Sequence, residues 1–205
     1  MTADHQQINQ TSFDVEYYTP PKILAAARFA MGTPQFDLDP ASCAAANKRV
    51  NAKRYFTVDD DGLAQPWVAN TVWLNHPFGR PEKPCRLPCA KERCKKRGFH
   101  RLKYKPGNAD WMNKLLDEYI NLNVGQACCI TFASTSEAWF QPLMRFPQCF
   151  LFPRTHYYQE RGNELQRKGG VPRGSVVTYL GDKQGERRFA RAFEGLGTVK
   201  VAYQL

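Results

Sequence analysis

Short hydrophobic runs alternate with amphipathic segments along this chain. The apolar runs at 71–74 and in QACCITFAS are typical of buried strands, and further strands are predicted at QFDLDPAS, QCFLFP, GSVVTYLG and VKVAYQL. In PKILAAARFAMG, Pro21 suits a first helical position, Thr19 suits a cap and Gly32 suits a stop. NADWMNKLLDEYINLN places its apolar residues at helical spacing, and helices are also predicted at AAANKRV, SEAWFQPLMRF and ERRFARAFEGLG. The alternation predicts an α/β protein with its strands in a row.

The alternation breaks between residues 80 and 105. This segment contains eleven Lys or Arg and two Glu, so it carries +9 of the formal net charge of +10, and it lacks helical or strand periodicity. We therefore expect a single domain over 1–205 with a basic Cys/His-rich insert at 80–106. A polar loop is expected over 154–173.

Composition narrows the class of protein. A hydrophobic content of 42% in 205 residues fits a folded globular chain. No apolar run approaches the roughly 20 residues that span a bilayer, and the polar N-terminus lacks a signal-peptide layout. We expect a cytoplasmic protein without a membrane or an obligate protein partner. The positive charge favours nucleic acid as partner.

The insert contains a candidate metal site. Cys85, Cys89, Cys94 and His100 follow the spacing C-x3-C-x4-C-x5-H, which supplies the ligands of a structural tetrahedral Zn²⁺ site. Metal binding would explain how so polar a segment folds. The competing interpretation is a disordered basic loop with reduced cysteines. The other cysteines lie in apolar or helical contexts and are predicted to be core residues: Cys43, Cys128, Cys129 and Cys149.

Polar motifs follow several of the predicted strands. In open α/β sheets ligands bind outside the carboxyl ends of the strands, so YYTPP, DLDPAS, DDDGL and NHPF are expected to surround one crevice. Acidic side chains suit amines and hydroxyl groups, and no glycine-rich dinucleotide or phosphate-loop motif is present. The simpler interpretation makes the acids helix caps and NHPF a turn after a strand.

The succession TPP, FDLDPAS, DGLxxxW and NxPF resembles the S-adenosylmethionine-dependent amino-methyltransferases. It is most similar to the phage DNA N-6-adenine methyltransferases, over most of residues 13 to 181, including PRTHYY and PRGSVVTYLG. The resemblance implies a Rossmann-like methyltransferase sheet with helices on both faces. It also implies transfer of methyl groups from S-adenosyl-L-methionine to the N6 nitrogen of adenine in DNA.

The resemblance also implies residue roles. The catalytic tetrapeptide would be Asn75, His76, Pro77 and Phe78. Asn75 and the His76 backbone carbonyl would accept hydrogen bonds from the target amino group, and Phe78 would stack on the flipped base. His76 replaces the first proline of the family motif, either as a simple substitute or as a titrating group. The implied cofactor-binding residues are Tyr18, Thr19, Asp39, Pro40, Ala41, Asp61 and Leu63, with Asp37 a weaker candidate.

Charge and loop position predict the DNA contacts. The candidates for phosphate binding are Lys95, Lys96, Arg97, Arg101 and Arg154. Three alternatives to an adenine-N6 enzyme stay open. They are an N4-cytosine methyltransferase, a zinc-containing nucleic-acid-binding protein on a degenerate methyltransferase fold, and a protein that acts on RNA.

Overall fold

A computed structural model describes residues 17–86, 88–161, 164–167 and 173–201. The polar N-terminal leader and the end of the last predicted strand lie outside the described residues. The strands in chain order are β1 (Phe36–Asp39), β2 (Ala52–Tyr55), β3 (Ala69–Leu74), β4 (Val124–Phe132), β5 (Gln148–Leu151), β6 (Tyr158–Arg161), β7 (Glu164–Arg167), β8 (Ser175–Leu180) and β9 (Gly197–Lys200). The helices are α1 (Pro21–Met31), α2 (Ala44–Val50), α3 (Glu92–Arg97), α4 (Asn108–Ile120) and α5 (Lys183–Phe193), with 3-10 turns at Gln141–Arg145 and Glu194–Leu196.

Seven of these strands form one sheet in the order β2, β1, β3, β4, β8, β5, β9. The first four are mutually parallel, and β8 runs antiparallel to both β4 and β5. The carboxyl ends of β1, β3 and β4 therefore lie at the same edge of the sheet. β6 and β7 pair with each other as a separate hairpin.

The core has two layers because alternate residues of each strand face opposite sides. On one side α1 and α5 pack against Trp73, Cys128 and Tyr179. On the other side α4 packs against Val72 and Cys129. Helices thus cover both faces of a mixed sheet. None of the described helices is long and apolar enough to cross a membrane.

The predicted α/β alternation is confirmed, and α1 begins at Pro21 and ends before Gly32, which has the left-handed φ of 64°. Three expectations were wrong. The segment SEAWFQPLMRF forms only a 3-10 turn, the polar loop expected over 154–173 contains the β6–β7 hairpin, and the insert contains α3. YQER and ELQR lack the apolar alternation that indicates a strand, and α3 has one buried residue, Cys94, so neither carried a hydrophobic signal.

Candidate active site and metal centre

The two acidic loops lie against each other at the carboxyl edge of the sheet. A Cβ on Gly62 would collide with the backbone carbonyl of Pro40, so only glycine allows this approach. The indole Nε1 of Trp67 donates to the Gly62 carbonyl at 2.7 Å and holds the second loop in place. The end of β1 and the turn at 59–63 therefore pack together as one wall of the crevice that the sequence predicts.

Asn75 joins this wall to the YYTPP segment. Its Nδ2 donates to the Tyr17 carbonyl at 2.7 Å and to Thr19 Oγ1 at 3.2 Å. The sequence predicted Thr19 as the cap of α1, and this prediction was wrong. The buried Thr19 hydroxyl accepts from Asn75, and α1 has no side-chain cap. Within the described part of the chain, Asn75 Oδ1 makes no hydrogen bond. The amide is thus fixed by its nitrogen and retains its oxygen as an acceptor.

Asp39 is a buried carboxyl group at the end of β1, only 2% exposed. Burial raises the pKa of Asp39 to about 7, although one oxygen accepts from the Ala41 amide at 3.2 Å. Among the described residues no cation pairs with it. A ligand ammonium or hydroxyl group that reached Asp39 would compensate for its lost hydration.

The aspartates of the turn at 59–61 differ in their hydrogen bonds. Asp60 Oδ2 accepts from the backbone amide and the hydroxyl of Thr57 at 2.8 and 2.7 Å, and these hydrogen bonds lower the pKa of Asp60. Asp61 is exposed, adopts a left-handed φ of 52°, and makes no side-chain hydrogen bond to a described residue. Asp61 is therefore the more available of the two carboxylates.

The other predicted cofactor contacts line the same region. Tyr18 is buried, its hydroxyl lies 3.9 Å from Cys43 Sγ, and its backbone pairs with Tyr158. Ala41 and Leu63 are half-buried and pack at the margin of the core on the α4 side. The crevice thus brings together all the loops that the sequence placed at strand ends.

Asp37 lies elsewhere. Its carboxylate accepts from Thr71 and pairs with Lys53, and it lines a groove of about 530 Å³ with residues that begin β3 and β4. That groove is at the opposite edge of the sheet and contains none of the other predicted site residues. The weaker expectation that Asp37 contributes to the crevice was wrong.

His76 turns its imidazole into the protein interior. Asn108 Oδ1 accepts from the Gly79 amide at 2.9 Å, so the contact at 3.1 Å from His76 Nε2 to the same oxygen requires a protonated Nε2. Nδ1 is then an unprotonated nitrogen, and it is buried without a partner among the described residues. Burial lowers the pKa of His76 to about 4, so the ring is neutral near pH 7.

The His76 side chain is therefore a link from the tetrapeptide to the start of α4, and it does not titrate beside a bound base. Its ring meets Phe78 edge-on at 5.1 Å and lies 6.3 Å from Trp111. Phe78 is half-buried and packs 4.5 Å from Phe132 at the end of β4, whereas Pro77 is exposed. Aromatic contacts thus hold His76 and Phe78 in place, while Asn75 and Phe78 remain half-exposed and Pro77 is exposed.

The insert brings its metal-ligand candidates together. One donor atom from each of Cys85, Cys89, Cys94 and His100 lies within 4.8 Å of all the others. Cys94 Sγ is 3.5 Å from Cys85 Sγ and 3.7 Å from Cys89 Sγ. Zn–S bonds of about 2.3 Å in a tetrahedron require sulfur separations of about 3.8 Å. The size and chemistry of the cluster are compatible with Zn²⁺.

Glu82 organises the base of the insert. Its carboxylate is contacted by Arg97 at 2.8 Å, Arg101 at 3.4 Å and Arg93 at 3.8 Å. Arg97 also donates to Cys94 Sγ at 3.3 Å, so it connects a candidate metal ligand to Glu82. The backbones of Glu82 and Lys105 pair with each other, which closes the two ends of the insert.

The predicted DNA contacts differ in exposure. Arg97 is the least exposed of these candidates, because its side chain is only 10% exposed and its guanidinium contacts Glu82, Cys94 and the Phe99 carbonyl. Lys95, Lys96 and Arg154 are exposed, and Arg101 is partly exposed beside Glu82. Of the cysteines assigned to the core, Cys128, Cys129 and Cys149 are buried, whereas Cys43 is half-buried and accepts from the first turn of α2.

Sequence reasoning missed several residues that organise the site. Asn108, Glu82 and Lys105 flank the insert without forming a motif, and the Tyr17 contribution comes from its backbone carbonyl. Gly62 carried a usable signal, because a glycine within an acidic turn often marks a close approach of two backbones.

The structure is a mixed α/β protein with four polar loops gathered at the carboxyl edge of its sheet and a Cys/His cluster in the insert. The family model of the DNA N-6-adenine-methyltransferases (Dam) matches residues 9–146, about two thirds of the chain. The chain therefore belongs to this methyltransferase family. No curated protein and no solved structure matches it.

Proposed function

We propose that this protein transfers the methyl group of S-adenosyl-L-methionine to the exocyclic N6 nitrogen of adenine in DNA, on a Rossmann-like methyltransferase sheet. The observation that carries the proposal is the Asn75 amide, which is anchored through Nδ2 at the end of β3 with Oδ1 left to accept. Membership of the Dam family supports the choice of adenine and of DNA.

In the proposed reaction the chain acts by positioning. The adenine amino nitrogen is a weak nucleophile because its lone pair is delocalised into the ring. Hydrogen bonds from its two amino hydrogens to Asn75 Oδ1 and the His76 carbonyl would localise that lone pair and direct it at the methyl group. Phe78, supported by Phe132, would stack on the flipped base.

His76 is not proposed as a base, and the proton that N6 loses on methylation would pass to solvent. Its ring is buried, its Nε2 is engaged with Asn108, and burial keeps its pKa near 4. Its backbone carbonyl is the proposed contribution. Pro77 restricts the backbone of His76 to extended geometry, as the family's first proline would restrict its own position.

The cofactor would lie across the two acidic loops. Asp39 is suited to its ammonium or ribose groups, because a cation there would compensate a buried carboxylate. Asp61 would accept from the adenine amino group of the cofactor, with Leu63 beside the ring. Tyr18 and Thr19 would contact the amino-acid end of the cofactor, and Pro40 and Ala41 would support Asp39 from behind. The sulfonium of the cofactor supplies the electrophilic methyl group.

We also propose that Cys85, Cys89, Cys94 and His100 hold a structural Zn²⁺. The separations of the donor atoms support the assignment, and so does Arg97, because its hydrogen bond to Cys94 Sγ would orient and stabilise a metal-bound thiolate. The exposed Lys95 and Lys96, with Arg101 and Arg154, would contact DNA phosphates and orient the duplex.

The test is mass spectrometry of nucleosides from duplex DNA incubated with the protein and labelled S-adenosylmethionine. We expect labelled N6-methyladenine. Labelled N4-methylcytosine would retain the mechanism and change the base. Folded protein that binds the cofactor and methylates neither DNA nor RNA would favour the alternative of a nucleic-acid-binding protein on a degenerate fold.

A further inference from the structure

Lys105 is a half-buried lysine at the base of the insert, next to the tetrapeptide. Its backbone N–H and C=O pair with those of Glu82, both at 2.9 Å, which fixes the residue in place. Its ammonium reaches the loop that follows Phe78, because a Cβ on Gly79 would lie 4.0 Å from Lys105 Nζ.

The ammonium of Lys105 is unmatched. It makes no ion pair and no side-chain hydrogen bond with a described residue. The nearby carboxylate of Glu82 is already contacted by Arg93, Arg97 and Arg101. Outside the Cys/His cluster, this part of the insert thus sets four cationic side chains against one carboxylate, and burial together with the charge of Arg101 lowers the pKa of Lys105.

A group that neutralises this excess must be an anion that reaches the edge of the tetrapeptide. We propose that Lys105 binds the DNA phosphate next to the target nucleotide and so anchors the strand beside Asn75. This inference rests on the proposed function, because it places a flipped nucleotide over the tetrapeptide.

The position of Lys105 separates it from the other basic residues. The backbone N–H of Asn108 donates to the Gly79 carbonyl at 2.9 Å. This hydrogen bond ties the chain that leaves the insert to the loop that follows the tetrapeptide. A phosphate on Lys105 would be held at a fixed distance from the reacting amino group. Lys95 and Lys96 lie on α3 with exposed side chains and suit phosphates farther along the duplex.

The experiment measures the affinity for a fluorescein-labelled duplex of mixed sequence by anisotropy over a range of salt concentrations. The slope of log K against log salt is negative. Lys105→Met should reduce its magnitude by about 0.9, the value for one phosphate contact, and Lys105→Arg should restore the wild-type slope. Lys183→Met is the matched control, because it removes one exposed lysine charge from the start of α5 at the opposite edge of the sheet. An unchanged slope for Lys105→Met, or an equal fall in both Met variants, would overturn the inference.

A second measurement uses the unaltered protein. An amine-reactive acetylating reagent, followed by mass spectrometry of peptides, should modify Lys105 less in the presence of the duplex, and added salt should abolish that protection. Equal modification with and without DNA would contradict the inference even if Lys105→Met fails to fold. Neither measurement needs methyl transfer. Protein that shows both effects and transfers no methyl would keep the phosphate site and refute the proposed reaction.

Discussion

The crevice at the sheet edge and the insert beside it are held by different forces. The crevice loops after β1 and β3 leave strands whose last residues are buried, and Gly62 in the turn after β2 sits directly on the Pro40 carbonyl. The insert contains a single buried apolar residue among its described members, Cys94, and it depends on three thiols, one imidazole and the ion pairs of Glu82. Hydrophobic burial therefore holds the loops proposed to carry out the methyl transfer, whereas the Cys/His cluster and ion pairs hold the segment proposed to contact DNA.

The strongest way to separate the two regions is to make the same substitution in each. Cys94→Ser should abolish metal binding and unfold the insert, because structural Zn²⁺ contributes on the order of 10 kcal/mol to the folding of such segments. Cys149→Ser, in the buried core, should keep the metal and lower the melting temperature instead. Metal content and limited proteolysis would report the outcome. Proteolytic resistance of the insert in metal-free Cys94→Ser protein would contradict this account.

The close approach of the two acidic loops can be broken with one methyl group. Gly62→Ala should destabilise the protein by about 1–3 kcal/mol, as overpacking does, and weaken cofactor binding. Gly195→Ala is the matched control, because a Cβ there meets no atom within 4 Å, and it should change stability by less than about 0.5 kcal/mol. Urea unfolding and cofactor titration measure both effects. Equal stability of the two variants would show that the loops are not in tight contact.

The buried His76 predicts a pH dependence of stability. Its folded pKa of about 4 lies below the ordinary value of 6.5, so in this interval the unfolded chain binds a proton that the folded chain does not. Stability should therefore fall as the pH drops through 6.5. Relative to His76→Phe, the wild-type protein should lose about 2 kcal/mol of unfolding free energy between pH 7 and pH 5.

Comparing these two proteins removes the opposing contribution of Asp39, whose raised pKa acts equally in both. Urea unfolding at each pH provides the free energies. A constant difference between the wild type and His76→Phe would show that His76 titrates normally in the folded protein.

The smallest expected effects distinguish two neighbouring cations of the insert. Arg97→Met should weaken metal binding about tenfold, because Arg97 connects Cys94 to Glu82. Lys96→Met should leave metal affinity unchanged and reduce the magnitude of the slope of log K for DNA against log salt by about 0.9. Competition with a chromogenic chelator measures the first quantity and anisotropy the second. The reverse pattern would place Arg97 on the DNA-facing surface after all.

The same contrast explains what the sequence could predict. Strand positions and the loops that follow them were predictable, because apolar runs such as 71–74 mark buried strands and because parallel strands present their carboxyl ends together. The Cys/His cluster was also predictable, because its four members lie within sixteen residues of one another in the sequence.

The remainder depends on contacts between distant residues. Arg97 is indistinguishable from Lys96 in the sequence, and only the fold places it between Glu82 and Cys94. Thr19 was available as a helix cap, but Asn75, far along the chain, takes its hydroxyl. The role of the His76 ring likewise required the position of Asn108, thirty-two residues away.

The most direct test of the proposed role of Asn75 compares cofactor binding and methyl transfer in the same preparations of wild-type protein and Asn75→Ala. Because Asn75 Nδ2 also holds the Tyr17 carbonyl and the Thr19 hydroxyl, Asn75→Ala should weaken S-adenosylmethionine binding, and transfer is therefore compared at cofactor concentrations that saturate each protein. Transfer to DNA should fall by about 100-fold or more in the variant, as when one preorganised hydrogen bond is removed from an active site. Transfer at the wild-type rate by cofactor-saturated Asn75→Ala protein would contradict the assignment of Asn75 as the acceptor for the target amino group.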